Sequence, residues 1–390
     1  MSNERQFIFL IDGLRHDYVT AGGTPFLHHL KEKSLHAVVE EPLFADAELA
    51  YSAGPSASNC GSCFAFDFDP QHSPFSFLKR LAPLCKFFES LRCDGFFRGS
   101  IRRHAEGLEE SKGSQLANPA LGTAFVPLHL LPFFRPRRAI QSNSIFDALT
   151  AHGTTCNTIA APEQSESTET TLQRYAAAPD AQVAFIRFSE VGQLGTQHGP
   201  KSAQVAKSLR KIDAAVRRLL EPAENGIRAI IFGTYGLVEV TSRIDLRAAL
   251  GKLPFQEGKD YVPFIEDTRA LFWFPNPKSR SAVEGLLSGV TQGRILSEEE
   301  LQKNGIRRDA AHCGEIFFAL AGGAAFSPSF TSPLRSLPKG LHGNLREVAD
   351  STFQLIATAP QLRSEDLGKL PMTQIYSIIR DNVIPPALRV

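Results

Sequence analysis

The chain has 390 residues, of which 43% are hydrophobic and 21% are charged, as in ordinary globular proteins and unlike disordered ones. That length is enough for one large domain with insertions or for two domains. The formal net charge is +1, so the protein has no overall field that would collect nucleic acid or an anionic membrane. Neither is therefore an expected partner.

The sequence predicts a cytoplasmic protein. The apolar runs at 125–134 and 317–326 are interrupted by Pro, Gly or His and are too short to span a bilayer. Near the N-terminus, the run Gln6–Ile11 is shorter than the apolar part of a signal peptide and leads directly into Asp12-Gly13. The six cysteines fit a compartment in which thiols stay reduced.

Short apolar runs alternate with helical patterns along the chain, which predicts an α/β fold with a largely parallel sheet and helices on both faces. A helix opens at Thr24-Pro25, and a longer amphipathic helix is predicted at 202–220. The predicted strands of this one sheet, rich in β-branched or aromatic residues, lie at 7–11, 155–160, 183–188, 227–232, 317–320 and 353–357.

Two stretches interrupt the alternation. Residues 64–140 are rich in Phe, Pro and Arg and have no strand–helix rhythm. Residues 246–312 combine a predicted strand at 270–274 with predicted helices at 279–287 and 297–304. We interpret both as insertions, the second of them cap-like, into a single domain that spans residues 1–390.

Ligands of open parallel sheets bind beyond the carboxyl ends of the strands, so the residues that follow each strand are the candidates for a site. These residues form an ordered series of short motifs. The motifs are Asp12-Gly13-Leu14-Arg15, Gly54 and Gly61 seven residues apart, Glu190 to Pro200 with Gly192, Thr196 and His198, then Thr234-Tyr235-Gly236, and finally Leu341-His342-Gly343. In this order they resemble the nucleotide pyrophosphatase/phosphodiesterase branch of the alkaline phosphatase superfamily.

The resemblance implies an alkaline-phosphatase-like fold and phosphoryl or phosphodiester transfer through a covalent Ser or Thr intermediate at two zinc-like ions. Asp12 and His342 stand at the positions of the family's first and last metal ligands. The positions at which the family has its other ligands and its nucleophile carry different residue types here, namely Gly192, Thr196, Thr234, Tyr235 and, for the nucleophile, Phe44.

The two remaining ligands would belong to different ions, so neither ion keeps more than one of them. One carboxylate or one imidazole does not hold zinc against water and cellular chelators. The sequence therefore predicts a pseudoenzyme without a cofactor. Its retained pocket would bind a phosphorylated or sugar-linked small molecule, or a protein partner.

Two alternatives remain open at this point. In the first, a divergent phosphodiesterase or other hydrolase has rebuilt a carboxylate–histidine site, with zinc or another divalent metal if the site holds one. The residues available for that site are Asp46, Glu48, Glu190 and His198, together with Asp12 and His342. In the second, the protein is a scaffold subunit with no small ligand.

Overall fold

The computed structural model describes residues 5–43, 50–52, 66–81, 83–85, 126–136, 144–159, 166–221, 228–304, 306, 314–330, 337–345, 347–359 and 362–383. They fall into two compact units. The first unit draws on 1–57, 142–241 and 338–390, and the second on 58–141 and 242–337. The two stretches that interrupt the sequence pattern, 64–140 and 246–312, thus fall within the ranges of the second unit, while the division into one domain with insertions stays a prediction.

The strands of the described residues are numbered in chain order. They are β1 (Gln6–Ile11), β2 (Leu35–Glu40), β3 (Phe66–Phe68), β4 (Phe134–Pro136), β5 (Cys156–Ile159), β6 (Val183–Phe188), β7 (Ala229–Gly233), β8 (Val238–Glu239), β9 (Ser242–Ile244), β10 (Val262–Ile265), β11 (Arg269–Trp273), β12 (Gly293–Ile295), β13 (Ile316–Leu320), β14 (Ala324–Phe326), β15 (Gly340–Leu341), β16 (Phe353–Thr358) and β17 (Glu365–Pro371).

The helices are numbered in the same way. They are α1 (Pro25–Lys33), α2 (Ile145–Ala151), α3 (Thr168–Ala177), α4 (Glu190–His198), α5 (Ala203–Leu220), α6 (Leu246–Leu250), α7 (Arg280–Ser288), α8 (Glu298–Lys303) and α9 (Gln374–Val383). None of these helices combines the length and the apolar character that crossing a membrane requires.

The first unit is built on a seven-stranded sheet with the order β17-β2-β16-β7-β1-β6-β5. Strand β1 pairs in parallel with both β6 and β7, and β5 pairs in parallel with β6. Only β16 runs against its neighbours β2 and β7. The predicted fold class, a largely parallel sheet in an α/β protein, is confirmed.

Both faces of this sheet are covered, and β1 shows why its sequence is continuously apolar. Phe7, Phe9 and Ile11 belong to a core cluster shared with α1 and α5, whereas Ile8 and Leu10 belong to a second cluster shared with α2 and α9. Alternate side chains of a strand point to opposite faces, so a strand buried on both sides is an almost continuous apolar run.

The second unit has its own sheet, with the order β10-β11-β13-β12 and antiparallel pairing throughout. The prediction that the run at 317–320 joins the large sheet is therefore wrong. This run forms β13, which pairs with β11 and β12. A short buried run looks the same in either sheet, because the pairing partner is set by distant residues and leaves no local mark.

Asp213 fixes the entry of α1 against α5. Its carboxylate accepts hydrogen bonds from the backbone N–H groups of Phe26 at 3.2 Å and Leu27 at 2.8 Å. The first N–H groups of a helix have no partner within the helix, so a carboxylate from a neighbouring element can satisfy them.

We expect Asp213→Ala to lower the free energy of unfolding by about 1 kcal/mol, the usual effect of losing a helix cap. Chemical denaturation monitored by circular dichroism measures this loss. Asp213→Asn keeps one acceptor oxygen and should lose less. Equal losses in the two variants would show that the carboxylate oxygens do not act as a cap.

Candidate functional site

The candidate site lies at the carboxyl ends of three adjacent strands, β1, β6 and β7. In the sheet register, Ile11 at the end of β1 lies beside Phe188 and Gly233 at the ends of the other two. The next residue, Asp12, continues the pairing, since its N–H donates to the carbonyl of Phe188 at 2.9 Å. Side chains that follow the three strands therefore converge at one edge of the sheet.

Asp12 is only 4% exposed, and both of its carboxylate oxygens are engaged. One oxygen pairs with Nε of Arg187, on β6, at 3.0 Å. The other accepts a hydrogen bond from the hydroxyl of Thr234 at 2.9 Å. A protein cation thus balances the charge of this carboxylate, and a hydroxyl completes its hydrogen bonding, as a buried carboxylate requires.

Tyr235 lies between the two predicted ligand positions. Its ring stacks on the imidazole of His342, with ring centroids 4.2 Å apart and planes 14° from parallel. A Cβ atom at Gly192 would lie 2.4 Å from the Tyr235 hydroxyl oxygen and 3.1 Å from Cβ of Asp12. The hydroxyl therefore occupies space that only a glycine at position 192 leaves open.

The phenol of Tyr235 stays protonated at neutral pH. Burial raises its pKa above the ordinary value, and the negative charges of Asp12 and Glu41 raise the pKa further. A protonated phenol does not act as a nucleophile. It also does not bind a metal ion as the unprotonated imidazole of a histidine does.

His342 is held by Glu41, which directly follows β2. The carboxylate of Glu41 accepts from Nδ1 of His342 at 2.9 Å and from the backbone N–H of Gly343 at 3.1 Å. Glu41 is 8% exposed, so the pair is largely shielded from solvent on the glutamate side. Sequence reasoning missed Glu41, because β2 itself was not predicted and no motif marks the residue.

Arg15, part of the first motif, is a buried structural anchor. Its guanidinium bonds both carboxylate oxygens of Asp17 at 2.8 and 2.6 Å, contacts Asp350 at 2.7 Å and donates to the carbonyl of Leu237 at 2.8 Å. The bidentate geometry outweighs the effect of burial and lowers the pKa of Asp17. Arg15 thus holds together the segments that follow β1 and β7 and the segment before β16.

Thr196 and Glu190, two of the four predicted positions in α4, serve local structure. The hydroxyl of Thr196 donates to the carbonyl of Gly192 at 3.0 Å, one helical turn earlier. Glu190 accepts from the backbone N–H and the hydroxyl of Thr168 at 3.1 and 2.6 Å, and so binds the first turn of α3. Lys211 approaches the other oxygen of Glu190 at 3.9 Å.

The remaining candidates are placed as follows. His198 is the last residue of α4 and is exposed. Phe44, Asp46 and Glu48 lie outside the described residues, so their predicted roles as the lost nucleophile position and as rebuilt ligands stay predictions.

In the described part of the site, Asp12 has protein partners of its own. A zinc ion takes about three or four protein donors. Asp12 already has Arg187 and Thr234 as partners, and the Thr196 hydroxyl is bonded within its own helix. Among the residues that the structure describes, no three side chains of His, Cys, Asp or Glu come together as metal ligands would.

Comparison in sequence matches part of the chain to the model of a known family. The family model described as type I phosphodiesterase / nucleotide pyrophosphatase matches residues 137–277. No curated protein matches the chain in sequence. The matched segment contains β5 to β7, and therefore Arg187, Gly192 and Thr234 of the candidate site.

Comparison in structure extends the similarity to nearly the whole chain. Human ectonucleotide pyrophosphatase / phosphodiesterase 5 superposes with a TM-score of 0.63 and 13% identity, over 97% of this chain and 95% of that chain. For the mouse protein the TM-score is 0.64 and the identity 15%, over 99% and 96% of the two chains. An inactive variant of the mouse protein in complex with AMP gives a TM-score of 0.63 at 15% identity, with the same coverage. Residues 137–277 thus match the model of the type I phosphodiesterase / nucleotide pyrophosphatase family, and the chain has the fold of the ectonucleotide pyrophosphatase / phosphodiesterase structures on which it superposes.

Proposed function

We propose that the protein is a non-hydrolytic relative of the phosphodiesterases. It binds a ligand without cleaving it at the candidate site formed where β1, β6 and β7 end, which we call the strand-end site. The observation that supports this is the environment of Asp12. At the position that corresponds to the family's first metal ligand, the carboxylate is bonded to Arg187 at 3.0 Å and to Thr234 at 2.9 Å. A guanidinium supplies the positive charge that a metal ion would otherwise bring to this carboxylate.

The same contacts disfavour hydrolysis without a metal. Thr234 carries a hydroxyl that donates to Asp12, an arrangement that in other sites activates a nucleophile. Here the charge of that carboxylate is already balanced by the guanidinium of Arg187. Thr234 is also only 4% exposed, so its oxygen does not reach a phosphorus atom in the solvent-facing part of the site.

The ligand that we propose is a phosphorylated small molecule, with a sugar-linked molecule or a protein partner as the other candidates. AMP is the first probe, because a mouse relative with the same fold has been solved with AMP. Nucleic acid and membranes are not proposed as partners, since the net charge is only +1. We further propose that the protein works in the cytoplasm, with its thiols reduced.

A direct test measures hydrolysis and metal content together. We expect negligible turnover of bis-(p-nitrophenyl) phosphate with or without added zinc or manganese. We also expect metal well below one equivalent per chain by elemental analysis of the purified protein. Calorimetric titration with AMP in EDTA should show that ligand binding does not depend on metal.

The matched control is Asp12→Asn, which removes the charge and keeps the size of the side chain. Metal-dependent hydrolysis that disappears in Asp12→Asn would overturn the proposal. The same holds for near-stoichiometric zinc in the parent that is lost in this variant.

One observation favours the alternative of a rebuilt hydrolase. Glu41 and His342 form a carboxylate–imidazole pair of the kind that serves general acid–base catalysis. Hydrolysis that needs no metal and that is abolished in both Glu41→Gln and His342→Gln would support this alternative. Asp46 and Glu48 would then be the next positions to replace.

A further inference from the structure

The second unit contains a cavity that the strand-end site does not involve. Its volume is about 640 Å³, within the range of about 300–1,000 Å³ typical of small-molecule sites. Five of the residues around it have polar side chains, and these are His129, Asp245, Arg247, Gln256 and Glu257. Phe255 and Tyr261 add aromatic surface.

Glu257 is the centre of a charged network in the wall of this cavity. One of its oxygens pairs with Nε2 of His129 at 3.0 Å and with Nη2 of Arg247 at 3.3 Å. The side chains of Glu257 and His129 are only 15% and 5% exposed. Burial alone would raise the pKa of Glu257, but the hydrogen bond from His129 and the charge of Arg247 lower it below its ordinary value.

Such a buried charged network is not an efficient way to stabilise the wall of a cavity, because burying its charges costs free energy. A buried ion pair is often no more stabilising than apolar side chains of similar volume, because the charges lose their hydration. Charged groups kept at the surface of a cavity therefore point to recognition of a ligand. Arg247 is 33% exposed, and its Nε and Nη1 atoms meet no acceptor among the described residues, so they can donate into the cavity.

The balance of charges defines the class of ligand. Asp245 and Glu257 are two carboxylates against the guanidinium of Arg247 and the imidazole of His129, so the cavity has no excess of positive charge that would favour a phosphate or another anion. A small cation would in turn meet Arg247. Carboxylates accept hydrogen bonds from hydroxyl groups, a guanidinium donates to hydroxyl oxygens, and the Gln256 amide does both. Aromatic side chains pack against the apolar faces of a ring.

We propose that this cavity binds a neutral, polyhydroxylated ligand, a free mono- or disaccharide or the end of a longer glycan, through Arg247 and Glu257. The proposal does not depend on the strand-end site, whose residues all belong to the first unit. It gives the chain a second binding site, built from residues that the family's chemistry does not use.

The full-length protein is applied to a printed array of oligosaccharides, and the disaccharide unit of the strongest signal is then titrated by calorimetry. We expect specific binding that falls at least about tenfold in Arg247→Ala and in Glu257→Gln, because each variant removes a charged hydrogen-bonding group. Arg218→Ala is the control, since it removes an exposed guanidinium from α5 in the first unit. Its affinity should equal that of the parent.

Binding to the array but not to the free disaccharide would identify a glycan end as the ligand. Circular dichroism and melting curves establish that each variant is folded. The proposal is overturned if no oligosaccharide binds, if binding is unchanged in both cavity variants, or if AMP or inorganic phosphate binds with an affinity that Arg247→Ala abolishes.

Discussion

Gly192→Ala is expected to lower the free energy of unfolding by about 1–3 kcal/mol, the usual effect of overpacking a filled interior. The added methyl group would lie 2.4 Å from the Tyr235 hydroxyl oxygen and 3.2 Å from the ring carbon that bears it. Tyr235→Phe removes the oxygen and leaves two milder contacts, 3.1 Å from Cβ of Asp12 and 3.2 Å from the ring carbon. We therefore expect the double variant to recover most of the loss, as a double-mutant cycle by urea denaturation will show.

The control for this cycle is Gly285→Ala. Gly285 lies inside α7, and a Cβ atom there meets nothing within 4 Å. Alanine at that position should stabilise the helix by up to about 1 kcal/mol. Gly192 is also helical, so the control isolates the clash from the helix preference. A loss at Gly192 that persists in the Tyr235→Phe background would mean that another neighbour, such as Asp12, sets the limit.

The sheet of the first unit was largely predictable, because its central strands are marked locally. Strand β1 is apolar at every position from Phe7 to Ile11 since both of its faces are buried, and such a run is visible in the sequence alone. Strand β17 is the opposite case. It lies at the edge of the sheet and is mostly exposed, so its sequence carries no apolar signal.

For the candidate site, the sequence indicated which segments meet but not which contacts their side chains make. The strand ends place Asp12 and Thr234 together, as the motifs indicated. Arg187 belongs to no motif. It lies within a strand, and its role depends on a partner 175 positions away in the chain, whose proximity only the folded sheet establishes. Tertiary ion pairs of this kind leave no periodic mark in a sequence.

Arg187 determines the expected result of rebuilding the metal site. The quadruple variant Gly192→Asp, Thr196→His, Thr234→Asp and Tyr235→His restores the residue types of the family around Asp12 and His342. Removing the Tyr235 hydroxyl also makes room for a side chain at position 192. The guanidinium of Arg187 nevertheless remains 3.0 Å from the Asp12 carboxylate, where it repels a divalent cation.

We therefore expect the quadruple variant to bind zinc weakly or not at all, and the addition of Arg187→Gln to raise the zinc affinity at least about tenfold, or 1.4 kcal/mol. The quadruple variant with Arg187→Gln added carries five substitutions and is called the five-fold variant below. Without metal, it has closely spaced carboxylates with no cation beside them. It should consequently be less stable than the parent, and its melting temperature should rise when zinc is added. Calorimetric titration and melting curves measure the two effects. The parent and the single variant Arg187→Gln serve as controls, because neither has a complete ligand set.

The measured zinc affinities test two assumptions separately, the role of Arg187 and the correspondence of the four positions to the family's ligands. Equal zinc affinity in the quadruple and five-fold variants would mean that Arg187 does not hold the place of a cation, and the main support for a non-hydrolytic site would be lost. Zinc binding by neither variant would mean that the four positions do not correspond to the family's ligands. Hydrolysis should stay slow even in the five-fold variant, since a metal ion without a nucleophile leaves only attack by metal-bound water. Adding Phe44→Thr should then raise turnover of bis-(p-nitrophenyl) phosphate, because it returns a hydroxyl to the position predicted to correspond to the family's nucleophile.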